Sequence, residues 1–189
     1  PTGTRRAPMR HWPSSTPTIR RAARRSPSAT PAARTRAAWI SCAGRLPWGQ
    51  PLDQREDDAR SVCLEWDLPT GTELLGHPVL EVDVSADVAV AFLAARLCSV
   101  ARDGTSTLVT RGLLNLAQRG DRTDPQPLVP GETVRVALEL EVGSWVFEAG
   151  HRLRLALAPS EWPNAWPPPL PGTLRIDLDT LRLTLPTLD

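Results

Sequence analysis

The chain has 189 residues, 41% of them apolar, which suits one domain of ordinary size with a core of its own. A net charge of +1 points to no partner by itself. Cys42, Cys63 and Cys98 are odd in number, far apart and without CxxC or Cys/His spacing, so chance thiols are expected rather than a metal or redox site.

The near-zero charge hides a division. Residues 1–48 carry ten Arg and no acid and sum to +10; the remaining residues sum to −9, and Lys is absent throughout. In residues 1–48, Arg, Pro, Ala, Ser and Thr fill 37 positions, with one Leu, two Ile and no Val or Phe. Such a segment buries too little apolar surface to offset chain entropy, and an irregular or disordered stretch over 1–50 is expected. A nucleic-acid-binding arm is disfavoured, because the Arg residues form no helical stripe and have no interleaved aromatics. The composition instead matches GC-rich coding DNA translated out of frame. Shifting the frame by one base across residues 15–23 permits an Asp/Pro-rich text followed by a Gly pair. Pro1 is not an initiator, which suits a start inside a longer reading frame. No signal peptide and no membrane-length apolar run is visible, so a membrane partner is not expected; the location is open, with the cytoplasm favoured.

From residue 51 the texture changes, and a folded domain over 51–189 is expected. "SVCLEWDL" (61–68), "VLEVDVS" (79–85), "TVRVALELEV" (133–142) and "HRLRLALA" (151–158) alternate apolar and polar residues. Period two predicts half-buried antiparallel strands, with Leu153, Leu155 and Leu157 inside and Arg152 and Arg154 outside. "VAVAFLAARLCSV" and "STLVTRGLLNL" are longer, less regular strand candidates flanking the turn dipeptide Asp103-Gly104. "TLRIDL" and "TLRLTL" repeat the alternation near the end. Pro69-Thr70-Gly71, Gly76-His77-Pro78, Pro130-Gly131 and Pro171-Gly172 punctuate the runs. Some eight to ten strands without a convincing amphipathic helix predict an all-β, two-sheet sandwich or jelly roll.

Catalytic motifs are scarce. Gly-x-Ser-x-Gly, a P-loop, Gly-x-Gly-x-x-Gly and His-Glu-x-x-His are all missing. Ser99, Ser106, Ser144 and Ser160 have no elbow sequence around them. His11 lies in the basic segment; His77 and His151 each follow a Gly at the start of a strand, where turn packing or solvation is expected over a general-base role. The acids are expected on solvated strand faces and loops. The expected catalytic, cofactor and metal sets are therefore empty. Trp162 and Trp166, four apart in a Pro-stiffened tail, are less bland: packing across a sheet edge, docking of another domain, or stacking on carbohydrate would all use them.

Four blocks carry a resemblance: "PLDQREDDARSVCLEW", "ARLCSVARDGTSTLVTRGLLNL", "PLVPGETVRVALELEV" and "FEAGHRLRLALAPSEWPNAWPPP". In this order they resemble the C-terminal domain of the Xaa-Pro dipeptidyl-peptidase and cocaine-esterase (CocE/NonD) serine hydrolases, over about 51–185. The Phe-x-x-Gly-His-Arg start of a strand, Phe147 to Leu155 here, is the most specific block. The resemblance implies an antiparallel jelly-roll sandwich of galactose-binding-like topology. It also implies a partner: an α/β-hydrolase catalytic domain, missing from this chain, that holds the Ser, Asp and His of the triad. No position here matches those three. The domain would pack on the catalytic domain, help shape the substrate pocket, and be inactive alone. The docking surface is expected at Trp162 and Trp166, and self-association is expected where that surface is uncovered. A free-standing carbohydrate-binding sandwich is the alternative.

Overall fold

The computed structural model describes residues 53–68, 70–162 and 164–188. The whole segment expected to be irregular or out of frame, residues 1–50 with His11 and Cys42, lies outside them. The described chain opens with a single helical turn, α1 (Arg55–Asp58). Ten strands follow: β1 (Val62–Asp67), β2 (Thr72–Gly76), β3 (Val79–Ala86), β4 (Phe92–Val100), β5 (Ser106–Asn115), β6 (Thr133–Glu139), β7 (Gly143–Phe147), β8 (Arg152–Ala158), β9 (Leu174–Thr184) and β10 (Thr187–Leu188).

All the pairings are antiparallel. Three sheets result, ordered β1-β8-β4-β5, β10-β2-β7 and β6-β3-β9. Pairings β4·β5, β3·β6, β2·β7 and β1·β8 are nested one outside the next, which is how a jelly roll winds. The chain running from β9 into β10 joins the two three-stranded sheets, and Leu75 N–H donates to Pro186 O at 3.0 Å across that join. The expected all-β antiparallel sandwich is the fold observed.

Alternation decides which face goes inside. Leu153, Leu155 and Leu157 of β8 are 3%, 0% and 1% exposed. Leu155 stands opposite Leu64 of β1 and Leu97 of β4, so three leucines meet at one level of the core. Leu80, Val82, Val84 and Ala86 of β3 are buried from the other side, between half-exposed Glu81, Asp83 and Ser85. Each such side chain contributes roughly 1.5–3 kcal/mol on burial. One cluster holds residues from all three sheets, so the sandwich has a continuous core. The Asp103-Gly104 turn joins β4 to β5 as expected: Gly104 has φ +89°, and Asp103 Oδ1 accepts from Thr105 N–H at 2.9 Å.

Three strands were not legible in the sequence: β2, β7 and the two-residue β10. β2 and β7 are five residues each; β2 buries only Leu74, and β7 buries only Gly143 and Phe147 at its ends. That is too short a pattern to show a period. Conversely, "TLRIDL" and "TLRLTL" form one strand, β9. The irregularity falls in its pairing with β3, whose register shifts between Glu81 and Asp83. Thr180 Oγ1 fills the gap, accepting from Asp83 N–H at 3.0 Å and donating to Asp177 O at 2.9 Å.

Candidate functional site

The tail after β8 brings the two expected tryptophans together. Ala165 N–H donates to Glu161 O at 3.0 Å and closes a single turn. That turn sets Trp162 and Trp166 edge to face, with ring centroids 5.5 Å apart and planes at 61°, a favoured aromatic geometry. Trp162 is half-buried, whereas Trp166 is 80% exposed and Leu170 nearby in the chain is 62% exposed. A large aromatic ring held out in water by a partner ring is a surface feature suited to contact.

The root of this turn was not foreseen. Glu161 is 2% exposed, with its Oε1 3.6 Å from Arg111 Nη1 of β5 and accepting no hydrogen bond. Burial pushes its carboxyl up to about 7, against the pull of Arg111 and Arg96. Acids were expected on solvated faces, and Asp57 and Asp58 of α1 depart from that expectation too, at 2% and 6% exposed.

Asp58 organises the outer face of the β1-β8-β4-β5 sheet. Its Oδ2 accepts from Ser106 Oγ at 2.7 Å and from Arg154 Nη1 at 2.6 Å, and its Oδ1 lies 3.4 Å from Arg96 Nη2. Arg96 is 1% exposed and also donates to Ser61 Oγ at 2.9 Å. Arg154 continues to Glu65 through Nε at 2.7 Å and also through Nη2, and Glu65 accepts from Arg152 Nη1 at 2.8 Å. Burial pulls the Arg154 guanidinium down, but its bonds to Asp58 and Glu65 outweigh that and hold it above its ordinary value. The result is a file of alternating charges, Arg96–Asp58–Arg154–Glu65–Arg152. It clamps α1 to the sheet, helped by Gln54 N–H donating to Ser106 O at 2.6 Å. A four-residue helix has no stability of its own, so this clamp accounts for its presence.

The structure also joins a Ser to a His. Ser99 Oγ is 3.1 Å from His151 Nδ1, and His151 Nε2 is 3.5 Å from Glu148 Oε2. The residue types match a triad, but the setting does not. Ser99 is 3% exposed, in β4 opposite Leu153, so no acyl carbon reaches its hydroxyl. The contact is a strut for the Gly-His turn. Leu68 N–H donates to His151 O at 3.0 Å and Gly150 N–H to Leu68 O at 2.8 Å, tying the start of β8 to the end of β1. Gly150 suits that turn because its φ is +81°, a conformation that side chains beyond Gly rarely adopt. His77 likewise packs in a turn, with Nδ1 3.0 Å from Leu140 O. Ser106 is occupied by Asp58. Cys98 is buried, and its thiol is pushed up to about 12 mainly by that burial, which makes it an inert core group. Among the described residues, no group of three or more His, Cys, Asp or Glu is placed to hold a metal ion.

The fold has solved counterparts. It matches an aminopeptidase from a marine sediment Thaumarchaeota archaeon with a TM-score of 0.70 and 20% identity, over 83% of this chain and 31% of that one. An α-amino acid ester hydrolase matches with a TM-score of 0.63 and 18% identity, over 72% of this chain and 27% of the other. A CocE/NonD family hydrolase from Staphylococcus aureus matches with a TM-score of 0.59 and 19% identity, over 71% and 31% of the two chains. This chain thus spans about a third of the length of those structures. No curated protein matches it. The family model of the X-Pro dipeptidyl-peptidase C-terminal non-catalytic domain matches residues 8–187, reaching well into the basic segment. The match spans most of the chain and the fold is a nested antiparallel sandwich, so the chain belongs to that family of non-catalytic C-terminal domains.

Proposed function

We propose that this chain serves as the accessory sandwich of an α/β-hydrolase-type serine hydrolase. In this reading it packs on the catalytic domain through the Trp162–Trp166 turn and helps wall the substrate pocket. The observation that carries the reading is Trp166, 80% exposed and braced edge to face by Trp162. Exposed, pre-oriented Trp is the side chain most often central to a protein–protein contact. The similar structures described as an aminopeptidase, an ester hydrolase and a CocE/NonD hydrolase support peptides, esters or amides as the substrates of the whole enzyme. The nucleophile, its base and the oxyanion hole come from the partner domain. Uncovered, the tryptophan face favours self-association.

The test pairs the full chain with a separately produced α/β-hydrolase catalytic domain of the same family. The chain alone is expected to give no inhibitor-sensitive cleavage of a Gly-Pro chromogenic amide or an aryl ester. It is expected to bind the hydrolase domain, with Trp166→Ala weakening binding by about 2 kcal/mol or more. Serine-inhibitor-sensitive turnover by the chain alone, or binding untouched by that substitution, would sink the proposal.

A further inference from the structure

The seat of Glu161 has a consequence independent of what the tryptophan turn contacts. Its side chain is 1% exposed, yet Oε1 has no hydrogen-bond partner. The charged and titratable groups facing it are Arg111 of β5, Arg96 of β4, Glu141 just after β6 and Asp57 of α1. Arg111 is shared: its Nε is 3.7 Å from Glu141 Oε1, while its Nη1 faces Glu161. Arg96 is already engaged by Asp58 and Ser61. Glu161 thus sits dry, with one long contact to a shared guanidinium and no hydrogen bond to Oε1, and a neutral acid fits that seat better than an anion.

We propose that Glu161 is a proton-operated latch on the tryptophan turn: the neutral acid seats the turn on the sheet, and loss of the proton loosens it. The link to the turn is direct, because the Glu161 carbonyl accepts the Ala165 N–H that closes it and Trp162 is the next residue. The sign follows from proton binding. In the seated turn the carboxyl holds its proton up to about 7, whereas in water its ordinary value is 4.5. The seated state therefore binds the proton more tightly and is favoured at low pH. That advantage is present below 4.5 and is lost as pH rises through about 7. From pH 6 to pH 8 the seating equilibrium falls about tenfold.

Amide hydrogen exchange on the full chain, corrected for intrinsic rates, reads this directly. Protection of residues 161–166 is expected to drop about tenfold between pH 6 and pH 8 in the wild type. It is expected to stay at its pH 6 level in Glu161→Gln. His151→Gln and His77→Gln, which remove imidazoles of the described residues without touching Glu161, are expected to keep the drop. A wild-type profile flat with pH, or a drop that survives Glu161→Gln, would overturn the latch. Carboxyl carbon NMR on the wild type checks it without any substitution: a Glu161 midpoint near 7 supports the proposal, and one near 4.5 refutes it.

Discussion

The two faces of the β1-β8-β4-β5 sheet are built from the same strands but held by different forces. The inner face carries Leu64, Leu97, Leu153, Leu155 and Leu157, each 7% exposed or less. The outer face carries the file Arg96–Asp58–Arg154–Glu65–Arg152, part of it equally buried. Hydrophobic burial is non-directional, so the inner face tolerates exchange at constant volume. The outer face is directional, because each charge owes its tolerable burial to a specific neighbour. A buried ion pair adds little net stability, yet removing one member strands the other. The inner face should therefore lose stability in proportion to volume, and the outer face in steps set by its links.

Substitutions on the two faces would sharpen or break that contrast. Asp58→Ala should cost the most, about 3–5 kcal/mol in urea unfolding, because it leaves Arg96 and Arg154 facing each other without the shared carboxylate. It should also release α1, seen as loss of exchange protection over residues 54–61. Replacing Arg96 by Met in the same protein should restore part of the loss. A cost under about 1 kcal/mol would mean that the file is not a coupled unit. Leu155→Ala comes next, at about 2–5 kcal/mol, with its spread set by how far the cavity collapses. Leu155→Met should cost less than about 1.5 kcal/mol, and a larger loss would show that the core is shape-specific at that level. Arg152→Ala should cost the least, under about 1 kcal/mol and diminishing with added salt, since this end of the file is 40% exposed. An effect equal to that of Asp58→Ala would erase the distinction between the buried and solvated ends.

Legibility follows the same line. The inward leucines of β8, the alternation of β3 and the Asp103-Gly104 turn are all local facts, readable from residues a few positions apart. The tryptophan pair was legible as two residues four apart, but the turn that sets them edge to face was not. The burial of Asp58 and Glu161 was not legible. Asp58 meets Ser106 and Arg154, 48 and 96 positions away. Nothing in "REDDAR" differs from a solvated acidic turn. The Ser99–His151 contact was hidden for the same reason, at 52 positions.

The sequence by itself determined the strand period, the identity of the core face and the scarcity of catalytic motifs, because these depend on side-chain chemistry repeated along one stretch of backbone. Its quoted blocks were also enough to signal the family. Tertiary structure alone decided which charges are dry, which hydroxyl meets which imidazole, and how the acid beneath the tryptophans is seated. Those properties arise only when strands distant in sequence are brought to about 5 Å of one another and water between them is displaced, changing the energy of every ionised group left there.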